Sequence, residues 1–151
     1  MRMVALVLGL LFVSAAASAQ FSHLPANIQA DIKENVEGCD KDQKFGAKFV
    51  TERDINGDGV KDYIIDYGEY ECDGSSTYFC GTGGCLNQVF ASLKGGYVKV
   101  LDENVRDLKF RRVGGKPAMV LELHGSACGK PGAARCPRTM VWDGKTFKAT
   151  K

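Results

Sequence analysis

Leu86-Asn-Gln-Val-Phe-Ala-Ser-Leu93, Lys94-Gly95-Gly96 and Tyr97-Val-Lys-Val-Leu101 read as strand, turn and strand. Glycine accepts the positive φ of a tight antiparallel turn without steric cost, so a Gly-Gly step between two apolar runs marks a β-hairpin. The same pattern recurs three more times. Residues 48–55 and 62–67 flank a polar loop, residues 108–113 and 117–124 flank Gly114-Gly115, and residues 138–142 and 146–149 flank Asp143-Gly144. Four successive hairpins imply an antiparallel β meander of about six to eight short strands. Upstream, Ile28, Ile32 and Val36 recur at helical spacing after Leu24-Pro25, and Gly38 ends the run. The expected fold is therefore mainly β (α+β), with one N-terminal helix covering one face or end of the meander. The 151-residue length suits one domain.

Residues 1–19 have the composition of a secretory signal peptide. Arg2 supplies the positive start, Val4 to Val13 form an apolar run of ten, and Ala17-Ser18-Ala19 provides small residues for cleavage. That run is too short to span a bilayer, and no membrane span is expected. Residues 20–151 then form a single exported domain of 132 residues, periplasmic or secreted.

Export changes the meaning of six cysteines. Cys39, Cys72, Cys80, Cys85, Cys128 and Cys136 all follow the cleavage point. An even number in an oxidising compartment implies disulfides, although six cysteines allow fifteen pairings. No C-x-x-C spacing favours zinc. Glycine-rich Cys80-Gly-Thr-Gly-Gly-Cys85 and turn-rich Cys128-Gly-Lys-Pro-Gly-Ala-Ala-Arg-Cys136 invite local bridges, which leaves Cys39–Cys72 by elimination.

Asp54-Ile-Asn56-Gly-Asp58-Gly-Val60-Lys-Asp62 carries the sharpest chemical signal. Side-chain oxygens fall at positions 1, 3, 5 and 9, the Val60 carbonyl is at position 7, and a glycine at position 6 permits a sharp turn. Calcium takes six to eight oxygen ligands in a flexible cage of this kind. An EF-hand is excluded, because position 12 is Ile65 rather than a bidentate glutamate and the following residues read as a strand.

From about residue 49 to 68 the chain resembles the strand–loop–strand calcium loops of FG-GAP (integrin-α-type) repeats, whose pattern is D-x-[DN]-x-D-G-x-x-D. The resemblance implies side-chain ligands at Asp54, Asn56, Asp58 and Asp62 and a carbonyl ligand at Val60. It is local, since a propeller of that family needs several blades and this chain has one loop. The wider chain is similar to small exported bacterial proteins with one such loop and a C-G-[ST]-G-G-C segment, a likeness that implies no activity. Calcium is thus expected in a structural role.

A net charge of +2 conceals two opposed halves. Residues 20–105 carry 8 Lys/Arg against 15 Asp/Glu, whereas residues 106–151 carry 11 against 3. Such asymmetry suits an acidic partner, or mutual attraction within the fold. An exported chain without an aromatic-interleaved basic face is a poor nucleic-acid binder.

Candidates for catalysis are few. His23 and His124 are the two histidines; His124-Gly-Ser126-Ala-Cys128 ends a strand but does not match G-x-S-x-G. Glu69 and Glu71 offer carboxylates whose separation the sequence does not set. Tyr63, Tyr67, Tyr70, Tyr78, Phe79 and Phe90 suit core packing or a glycan or peptide groove, and Trp142 suits a hairpin anchor. The leading expectation is a monomeric, non-catalytic binding or interaction module for a protein or envelope glycan. An inhibitor or immunity-type protein acting on a lysozyme-like envelope hydrolase is the alternative, and a hydrolase using His124 and carboxylates is third.

Overall fold

The computed structural model describes residues 20–150. The signal-peptide reading of residues 1–19 lies outside the described residues. The described chain is mainly β, with one α-helix and eleven strands. Helix α1 (Ala26–Val36) starts after Pro25 and buries Ile28, Ile32 and Val36 along one stripe. The strands are β1 (Gln43–Phe45), β2 (Val50–Arg53), β3 (Asp62–Asp66), β4 (Tyr70–Cys72), β5 (Cys80–Gly81), β6 (Gly84–Leu93), β7 (Gly96–Val105), β8 (Asp107–Val113), β9 (Lys116–Leu123), β10 (Cys136–Trp142) and β11 (Phe147–Ala149).

All four expected hairpins form, as β2–β3, β6–β7, β8–β9 and β10–β11, each antiparallel. Three short strands, β1, β4 and β5, come in addition. They carry only two or three residues each, too few for alternation to show in the sequence. The hairpins combine into two larger sheets. One is an unbroken meander in the order β11-β10-β9-β8; the other runs β2-β3-β6, with β5 also on β6 and β7 along the opposite edge of β6.

Side-chain alternation explains how these pieces stack. On β3 and β6, Ile65 and Phe90 point to one face while Ile64 and Val89 point to the other. The first face packs under α1 with Phe49, Tyr67 and Tyr70. The second meets Met119, Leu121 and Leu123 of β9. The result is three layers: helix, five-stranded sheet and four-stranded sheet. Each junction carries an ion pair. Lys99 of β7 contacts Asp31 of α1 at 2.6 Å, and Arg138 of β10 reaches Glu103 of β7 at 3.2 Å. Partial burial pulls the Lys99 pKa down, but Asp102 and Asp31 more than offset that and hold it above its ordinary value.

The aromatic residues serve packing. Tyr67 and Tyr70 are fully buried among Phe21, Phe45, Phe49 and Phe79, and Trp142 stacks 4.9 Å from Phe147 across the last hairpin. Tyr67 donates to Gln88 Oε1 at 3.1 Å and accepts from Asn35, while burial pushes its pKa well up.

The three bridges are Cys39–Cys72, Cys80–Cys85 and Cys128–Cys136. Cys39–Cys72 joins the end of α1 to β4 across 33 residues, so it restricts the unfolded chain more than the 5-residue Cys80–Cys85 link. Loop-closure entropy assigns the former about 3–4 kcal/mol and the latter about 2. Replacing each pair by alanines should reproduce that order in chemical denaturation. Equal losses would show that strain or residual structure, not loop length, sets the stabilisation.

Candidate metal-loop site

The loop between β2 and β3 is built from hydrogen bonds to its own acidic side chains. Asp54 Oδ1 accepts the Gly57 N–H at 2.7 Å and Oδ2 accepts that of Gly59 at 3.0 Å. Asn56 Oδ1 accepts the Asp58 N–H at 3.0 Å, and Asp58 Oδ1 accepts that of Val60 at 2.7 Å. Gly57 and Gly59 have φ of 82° and 83°, a region costly for other residues, and this lets the chain coil tightly. Asp62, at 0% exposure, anchors the base: its Oδ2 accepts the Ile55 N–H at 2.6 Å.

Ser92, at the far end of β6, completes the site from thirty residues away. Its N–H and Oγ lie 2.6 and 2.8 Å from Asp62 Oδ1, while Oγ is also 2.8 Å from Asp58 Oδ2. One hydroxyl hydrogen can serve only one of these carboxylate oxygens at a time. Two anionic groups therefore share a single side-chain proton donor, with help from Asn56 Nδ2 at 3.1 Å from Asp58. Sequence reading missed Ser92, because a serine within an apolar strand gives no local sign of a partner so distant.

The structure thus gathers Asn56, Asp58 and Asp62 around Ser92 and holds Asp54 on the outer turn by two backbone N–H groups. Val60 stands at the surface, its residue 49% exposed. Among the described residues, no three His, Cys, Asp or Glu side chains stand in a metal-holding group. The donor set nevertheless suits a hard cation. A carboxylate oxygen has two lone-pair directions, and most of those in the loop use one on an N–H or O–H.

The loop also ties the layers together. Ile55, within it, is buried in the core between the two sheets, and Gly57 approaches Pro117 of β9 so closely that a Cβ would lie 3.3 Å from the proline ring. Beyond Arg53, at the foot of the loop, a groove of about 540 Å³ opens between the sheets. Its lining includes Ile64, Asn87 and Val105, Leu108 and Phe110 of β8, and the charged Lys48, Asp66 and Glu69. The Arg53 guanidinium lies 5.4 Å from the centre of the Phe110 ring. This groove was not legible in the sequence, since its lining comes from five separate strands.

The other candidates are placed differently. His124 Nδ1 lies 2.7 Å from Ser126 Oγ and accepts the Ser126 N–H, capping the 3-10 turn Gly125–Cys128. A Cβ on Gly132 would strike the imidazole, and Glu122, two residues back, is engaged by Arg135 at 2.8 Å. Arg106 donates to the carbonyls of Thr82 and Gly132 at 2.8 and 2.6 Å, clamping the two glycine-rich disulfide loops together. Glu69 and Glu71 line a small cleft with Lys44. Comparison of the chain with protein families, curated proteins and solved structures yields no match.

Two outcomes follow for the loop. Ser92→Ala removes a buried hydroxyl from two carboxylates and should cost about 1–3 kcal/mol in urea denaturation; a change below about 0.5 kcal/mol would show that the hydroxyl is not holding the loop. Burial raises the Asp58 pKa, but bonds from Val60, Ser92 and Asn56 outweigh it and hold it below the ordinary 3.8. A depressed folded pKa stabilises above the ordinary value and is lost as pH falls through the folded one. Melting temperature should therefore fall more steeply below pH 4 in the parent than in Asp58→Asn.

Proposed function

We propose that this protein is an exported, non-catalytic interaction module whose β2–β3 loop is stabilised by calcium. The observation that carries the reading is the open groove of about 540 Å³ between the sheets, which lies within the size range of ligand sites. One side of that groove is the β2–β3 hairpin, so whatever orders the loop also sets the binding surface. Asp54, Asn56, Asp58 and Asp62 would supply side-chain oxygens to the ion, and Val60 its carbonyl. Calcium would relieve the competition of Asp58 and Asp62 for the single Ser92 hydroxyl hydrogen. Its role here is mechanical, to hold the hairpin against β6 and β9.

Export rests on the three disulfides, which persist in oxidising compartments, and on the composition of residues 1–19. Among the described residues no helix is long and apolar enough to cross a membrane. The non-catalytic reading rests on His124, whose Nδ1 is spent on a local cap.

Extracellular calcium modules bind in the range of about 10⁻⁴–10⁻³ M. With 10 mM calcium the mature, oxidised protein should gain about 1.4–2.7 kcal/mol over a chelator control. For a domain of this size that is a rise of about 5–10 °C in melting temperature. Asp58→Ala should abolish the rise. An unshifted parent with no heat of calcium binding by calorimetry refutes the calcium reading. Separately, tagged protein should retain a stoichiometric partner from envelope extract, and turnover of a substrate lost in His124→Ala would overturn the non-catalytic reading.

A further inference from the structure

One wall of the groove is a free strand edge. β8 pairs with β9 over seven register positions, from Asp107 opposite Glu122 to Val113 opposite Lys116, and with no other strand among the described residues. Its pairing is regular throughout, without bulge, and β8 itself holds no proline. β7, the other long edge, has a register shift opposite Val89 and Phe90. A regular edge presents a row of backbone N–H and C=O groups able to pair with another extended chain.

The side chains of β8 say what kind of chain. Leu108 and Phe110 turn inward and are half-buried, whereas Lys109 and Arg111 are exposed on the outer face; Arg112, on the same face as Phe110, is exposed near the turn and donates to the Gly115 carbonyl. A strand laid along β8 would have its residues alternate in the same way. Those directed inward would meet Ile64, Leu108 and Phe110, which favours apolar side chains. Those directed outward would sit beside Lys109 and Arg111, where cross-strand pairs of opposite charge stabilise and like charges repel. An antiparallel second copy of β8 centred on Phe110 would set Lys109 against Arg111, so self-pairing in that register is disfavoured. The excess of cations over anions in residues 106–151, 11 against 3, adds long-range attraction for an acidic segment. Asp107, on the same outer face, is paired with Lys109, so that face carries one net positive charge, centred on Arg111. Within the groove, Asp66, Glu69 and Asp107 are balanced by Lys48, Arg53 and Arg106, so the inward side chains of a bound strand meet no net charge there.

We propose that the free edge of β8 receives an extended segment of a partner protein in which acidic and apolar residues alternate. This deepens the interaction-module reading and rests on it. The inward side chains would fill the groove, and the outward carboxylates would pair with Arg111 and compete with Asp107 for Lys109.

A fluorescein-labelled nonapeptide alternating glutamate with valine provides the probe, with binding to the mature, oxidised protein read by anisotropy. Saturable binding is expected, about tenfold weaker for the Lys109→Glu/Arg111→Glu variant and for a shuffled peptide of equal composition. Peptides N-methylated on alternate amides separate strand addition from charge attraction. One methylation set should abolish binding and the other should leave it intact, because only every second amide of an added strand faces β8. Lys109→Ala/Arg111→Ala, with the melting temperature of the parent, guards against misfolding of the charge-reversed form and should weaken binding to a lesser degree. Absence of binding overturns the proposal, as does equal affinity for the shuffled peptide or indifference to both methylation sets. An envelope partner that binds without slowing amide exchange in β8 overturns the β8 assignment alone and leaves the interaction-module reading standing.

Discussion

The architecture depends on burying both faces of β6. Six consecutive residues, Asn87 to Ser92, are shielded from water, so the strand has no solvent side. A helix and aromatic cluster must cover one face and a second sheet the other. That requirement accounts for the three layers, and for the polar residues inside them. A buried polar group without a partner costs about 1–3 kcal/mol, so each one on β6 has to be met. Gln88 accepts from Tyr67, Asn87 donates to the Cys85 carbonyl, and Ser92 binds Asp62.

From β6 the constraint passes to the loop. Because Ser92 has its partner in Asp62, the start of β3 is tied to the end of β6, and the polar loop ahead of Asp62 must close over that pair. Ile55 then falls into the core between sheets, and Gly57 comes against Pro117. The acidic loop is thus part of the joint between layers rather than an appendage. The groove is the space left where β8 ends the second sheet while β2 and β3 continue the first. Groove and free edge are consequences of one mismatch between a five-stranded and a four-stranded sheet.

The disulfides act at the margins of this frame. Cys39–Cys72 ties the end of α1 to β4 beside the aromatic cluster. Cys80–Cys85 and Cys128–Cys136 close two glycine-rich loops, which Arg106 clamps through their carbonyls. The acidic and basic halves of the chain meet in this fold, with Arg138 against Glu103 as one such contact. Part of the charge asymmetry is therefore neutralised internally, while Arg111 remains exposed on the outer face of β8.

Much of this was legible from local chemistry. Gly95-Gly96, Gly114-Gly115 and Asp143-Gly144 mark hairpin turns because positive φ is a single-residue property, and the structure has it at all five glycines. The helix showed in the spacing of Ile28, Ile32 and Val36. Bridge partners followed from short glycine-rich intervals and elimination. The stacking of layers, the reach of Ser92 to Asp58 and Asp62, and the groove were not legible. Each depends on residues thirty or more apart, or on strands of different sheets, and local spacing says nothing about which face of one element meets which face of another. Sequence alone set the hairpins, the helix stripe, the cysteine chemistry and the oxygen-rich loop, because these follow from backbone dihedrals and side-chain type. Only the tertiary structure decided that the loop braces two sheets and that β8 is left without a neighbour, because both follow from how buried faces are shared among layers.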